Sequence, residues 1–97
     1  MLVRLTEVCV NGAVTTPNSY ILREVFVNPE HVVMIREERR IQDLNERGML
    51  SEGLDVSHRF SKLTINRGQS GTEIVVIGAP DTVETKLQNS AKQLLRG

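Results

Sequence analysis

Two histidines, one thiol, two groups of carboxylates and a set of arginines are the residues of this chain whose types could do chemistry. His31 and His58 each lack a second ligand three or four positions away, and Cys9, the one cysteine, is far from both in sequence. Zinc needs three or four such groups converging on it, so no metal and no cofactor is expected. Cys9 stands between Val8 and Val10, with neither a base nor a helix amino terminus beside it to lower its pKa. It reads as a small buried hydrophobe of a strand.

The carboxylates Glu37-Glu38 and Asp43/Glu46 could in principle pair for acid–base work, but Arg36, Arg39, Arg40 and Arg47 stand close enough in sequence to neutralise them. Catalysis also demands sub-ångström positioning, which a charged loop does not provide. No catalytic residue is expected, and the chain does not read as an enzyme. Gly68-Gln69-Ser70-Gly71 lacks the Lys-Ser/Thr and the helix start of a phosphate cradle, so it reads as a hairpin turn. What remains is Arg36, Arg39, Arg40 and Arg47 as the residues expected to contact a partner. That partner is another protein or a second copy of the chain; interleaved acids place RNA phosphates behind it.

The elements that must position these arginines belong to one domain, because 97 residues with 39% hydrophobic content build one core and not two. Twelve Lys and Arg against twelve Asp and Glu give a formal charge of zero, without the field that non-specific nucleic-acid or anionic-membrane binding requires. No apolar run approaches the roughly 18 residues of a membrane span, and Arg4 and Glu7 interrupt what a secretory leader would need to keep apolar. A cytoplasmic protein without membrane contact is the expectation.

Valine and isoleucine dominate the apolar residues, and β-branched side chains favour a pleated surface. Near-alternation from Leu2 to Val10 predicts a strand, with reversals at Asn11-Gly12 and again around Thr15 to Ser19. Tyr20 to Val27 predicts a second strand that Asn28-Pro29 stops, and Val32 to about Glu37 a third. Lys62 to Arg67 and Thr72 to Ile77 form a hairpin. Pro80-Asp81-Thr82-Val83-Glu84 opens a terminal helix with Asp81 as possible cap, and Val83, Leu87, Ala91, Leu94 and Leu95 make its apolar stripe.

Between the third and fourth strands lies a charged insertion at about residues 38–60. Core-building is expected to stop there, apart from two or three helical turns ending at Gly48 with Ile41 and Leu44 three apart.

Phe26 through Glu37, then Leu63-Thr64-Ile65, Thr72 through Ile77 and Pro80 through Leu87 follow a pattern of Asn-Pro-acid, strand, hairpin and Asp/Glu-x-Val helix. In this the chain resembles the small FlbD-like proteins of bacterial flagellar operons and similar short phage-type proteins. The resemblance implies a small sheet-plus-helix protein with a binding or regulatory role. The charged insertion and a longer first strand region depart from the pattern.

The expectation is therefore an α+β fold: five strands in a curved, mostly antiparallel sheet or small partly open barrel, with a carboxy-terminal helix. Its expected function is that of a non-enzymatic binding or regulatory module, self-associating or protein-binding. A small-barrel RNA-binding protein and a phage structural or assembly component are the alternatives.

Overall fold

In the computed structural model, residues 1–10, 20–48, 50, 54–66, 68 and 71–96 are described, the side chains of 10 and 90–96 excepted. Five strands, β1 (Val3–Val10), β2 (Tyr20–Val27), β3 (Val32–Glu37), β4 (Phe60–Asn66) and β5 (Gly71–Ile77), form one sheet in the order β2-β1-β5-β4-β3 with every pairing antiparallel. Helix α1 (Arg39–Glu46) lies between β3 and β4, and α2 (Pro80–Arg96) closes the chain. The expected α+β class, five-stranded sheet and terminal helix are all present. The turns expected at Asn11-Gly12 and Thr15 to Ser19, most of the Gly68–Gly71 turn, and the stripe residues beyond Leu87 fall outside the described residues or side chains.

The sheet is curled because its two edge strands are consecutive in the chain. Only a short 3-10 turn, Pro29–His31, joins β2 to β3. The five Cα–Cα steps from Val27 to Val32 reach at most about 17 Å, less than the roughly 19 Å that would separate the outer strands of a flat five-stranded sheet. Asn28 begins the turn with φ −80° and ψ 117°, the extended geometry imposed by the following proline, and its Oδ1 accepts a hydrogen bond from the Glu30 N–H at 3.0 Å. Since no ladder joins β2 to β3, the curl stays open and is not a closed barrel.

Both faces of this sheet carry a core. On the inner face Val3 and Leu5 of β1, Val27 of β2, Leu63 of β4 and Val76 of β5 are buried under Val83 and Leu87 of α2. Those two helix residues are the buried start of the expected stripe. Helix α2 starts with Pro80 at its first position, so the cap position falls on Ala79, whose carbonyl accepts from the Val83 N–H at 3.0 Å. Asp81 does not cap; its carboxylate accepts from the Thr82 N–H at 3.0 Å. Just upstream, Gly78 adopts φ +129°. Its N–H donates to the Arg59 carbonyl at 2.7 Å, and its own carbonyl accepts the buried Ser61 hydroxyl at 2.7 Å. That clamp fixes where α2 leaves the sheet.

The outer face holds the second core: Val8 and Phe60 from the sheet, Ile41 from α1 and Leu50 after it, with Leu44, Leu54, Val75 and Ile77 packed around them. Here the sequence expectation is corrected. The charged insertion does not interrupt core-building; its Ile41, Leu44, Leu50 and Leu54 pack on the sheet, and the strand after it begins at Phe60, two residues earlier than the alternation indicated.

Candidate functional site

Helix α1 divides its residues cleanly between two sides. Ile41 and Asn45 are buried and Leu44 is half-buried, whereas Arg39, Gln42, Asp43 and Glu46 recur at spacings of three, one and three, the period of a helix face. The helix is held in place from both ends. Glu38, its N-cap in extended geometry, accepts from the Arg40 N–H at 3.1 Å and pairs with Lys62 of β4 at 3.2 Å. At the other end Gly48 takes φ +71°, where glycine is favoured, and its N–H donates to the Asn45 carbonyl at 3.0 Å.

The buried Asn45 side chain is the fastening between the helix and the loop behind it. Its Nδ2 donates to the Asp55 carbonyl at 2.8 Å, and Asp55 in turn organises its own turn by accepting from the Ser57 N–H at 2.8 Å. That backbone hydrogen bond, ahead of the Ser57 side chain, lowers the Asp55 pKa. Leu50, 1% exposed, is itself buried in the outer core.

With one side anchored, the opposite side of α1 borders an open cleft of about 360 Å3, lined by Arg39, Gln42, Asp43 and Glu46 together with Glu37 and Arg59. Arg39 Nε donates to Glu37 Oε1 at 2.9 Å, and the Arg59 guanidinium bonds the other oxygen of the same carboxylate. Arg59, ahead of Arg39, holds the Glu37 carboxyl below its ordinary pKa. One carboxylate thus serves two guanidiniums, leaving an excess of positive charge at that end. Among the described residues neither Asp43 nor Glu46 makes an ion pair, so the other end is negative.

Of the four arginines expected to meet a partner, only Arg39 borders the cleft. Arg40 and Arg47 are exposed, seven positions apart on a different side of the helix, and Arg47 occupies the C-cap. Arg36 projects from β3 and pairs with Glu73 of β5 at 3.5 Å. Sequence reasoning missed Arg59, which lies 22 positions from Glu37 and comes beside it only because β3 and β4 pair with Glu37 opposite Ser61. It also treated Asp43 and Glu46 only as possible catalytic carboxylates or a solvated face.

The remaining reactive groups stay apart. Cys9 is half-buried on β1, and burial, followed by the nearby Glu7 charge, raises its thiol pKa; a protonated thiol is a poor nucleophile. His31 ends the 3-10 turn and His58 is exposed in the turn after Asp55. Among the described residues no three His, Cys, Asp or Glu side chains gather as a metal site would require, and no helix is long and apolar enough to cross a membrane.

The fold and the cleft together define a small α+β sheet protein that carries a helix of mixed charge on its outer face. No family model, no curated protein and no solved structure matches the chain.

Proposed function

We propose that this protein is a non-enzymatic, cytoplasmic binding module that works through protein–protein contacts and associates with itself, using the charged surface that includes Arg36, Arg39, Arg40 and Arg47. The observation that carries this reading is the anchoring of α1: buried Ile41, Asn45 and Leu50 fix the helix, so its charged side is preorganised around an open cleft. A surface whose backbone is already held in place loses less conformational entropy on binding. Opposite charges on one such surface favour partner choice and association rate. The regulatory role implied by the FlbD-like resemblance is part of the same proposal.

Light scattering across a concentration series tests it. The wild-type chain should exceed monomer mass as concentration rises at low ionic strength, and the R36Q/R39Q/R40Q/R47Q variant should remain monomeric. A wild-type monomer at every concentration, or a variant that associates equally well, would overturn the proposal.

A further inference from the structure

The cleft side of α1 has a property that selects its partner. Its four residues read Arg39, Gln42, Asp43, Glu46, and their spacing is the same in either direction. Laid antiparallel against an identical helix, Arg39 meets the Glu46 of the other copy, and Gln42 meets its Asp43. Each meeting is complementary: guanidinium with carboxylate, amide N–H with carboxylate. A twofold axis repeats both, as an isologous interface requires.

The helix dipole supports the same arrangement. Glu38 at the N-cap and Arg47 at the C-cap have the signs that favour their own helix, but inside it the first turn holds no acid and the last turn no base. Arg39 near the amino end and Glu46 at the carboxy end therefore oppose the dipole of their own helix. In an antiparallel pair each lies beside the favourable end of the other copy's dipole. Arg39 can leave Glu37 to reach across, since its side chain is 86% exposed and Glu37 keeps Arg59 as its other cation.

We infer that the cleft side of α1 is a self-recognition surface, on which a second copy of this chain docks its own α1 antiparallel, with Arg39 facing Glu46 and Gln42 facing Asp43 across a twofold axis. The inference rests on the binding-module reading and specifies its partner and contact. Eight residues make a helix only about 12 Å long, and such a contact falls short of the roughly 800 Å² per partner of a standard interface. The dimer is accordingly weak, quickly exchanging and dissociated by salt.

Charge reversal with sedimentation velocity decides the matter. Arg39→Glu alone sets two acids face to face, and Glu46→Arg alone sets two guanidiniums face to face; each should weaken dimerisation by about tenfold or more. An equimolar mixture of the two variants restores both pairs and should dimerise as the wild type does, although neither component does so alone. The mixture also controls for folding, because a misfolded variant would not rescue its counterpart. If the wild type dimerises and both variants keep its circular-dichroism spectrum but their mixture does not dimerise, the α1 pairing is wrong while self-association stands on another surface. If the wild type stays monomeric at low ionic strength, both readings fall.

Discussion

Asn45 shows how a polar side chain can hold a functional element in place. It is 2% exposed, and its amide spans from α1 to the Asp55 carbonyl, so Asn45→Ala removes that hydrogen bond and empties the buried space the amide fills. The expected loss is about 1–3 kcal/mol in urea unfolding, together with faster amide exchange in α1. Glu37 carries a pH dependence whose sign follows from its partners. Its folded pKa lies below the ordinary carboxylate value because of Arg59 and then Arg39, so its stabilising contribution is complete above the unfolded pKa, about 4.3. That contribution disappears as pH falls through the lower, folded value. The urea midpoint of the wild type should therefore drop through the acid range more than that of Glu37→Gln, which should start lower at neutral pH. Parallel curves would mean that the Glu37 pairs do not hold in solution.

Single elements are where sequence patterns succeed and where their reach ends. Leu50→Ala should cost about 2–5 kcal/mol, as truncation of a fully buried leucine does, and chemical denaturation against a Val56→Ala control at an exposed position measures it. Gly78→Ala should also destabilise, by about 1–3 kcal/mol, because φ is +129° there and a Cβ would sit 3.1 Å from Val83 Cγ2. Strands β2 and β3, the α1 turns ending at Gly48 and the proline start of α2 were legible because each depends on local periodicity or on a residue with restricted backbone. The anchoring of the insertion was not legible. Leu50 and Leu54 have no period of their own; Leu50 is buried and Leu54 half-buried because Phe60, Val8 and Ile77 meet beneath them, and that surface exists only once β1, β4 and β5 have paired. Arg59 escaped for the same reason, since no spacing in the sequence announces its arrival beside Glu37.

At the scale of the molecule, the curled sheet offers two competing places for association. Among the described residues the edges β2 and β3 are unpaired on their outer sides, with Ile21 and Phe26 exposed on β2 and Val33 and Met34 on β3. The register shift between Val32 and Met34, however, breaks the regular ladder that a further strand would need on β3, whereas β2 is regular along its length. Val33→Lys should accordingly leave the dimerisation constant within about threefold of wild type, while Arg39→Glu raises it by about tenfold or more. Helix α2 covers Val3, Leu5, Leu63 and Val76 of the inner face, beside which Val25, Phe26, Ile65 and Ile74 line an open apolar cleft; the outer core is covered by α1 with Leu50 and Leu54, so the charged side of α1 is the prominent outward feature of the insertion.

The most direct measurement is the rate of covalent dimer formation under mild oxidation by a Cys9→Ser/Gln42→Cys variant, compared with Cys9→Ser/Gln88→Cys. An antiparallel α1 pair brings position 42 next to its own axis of symmetry, so the first variant should cross-link faster, with the advantage vanishing at high ionic strength. Equal rates for the two variants, or a rate for position 42 indifferent to salt, would contradict self-recognition through α1.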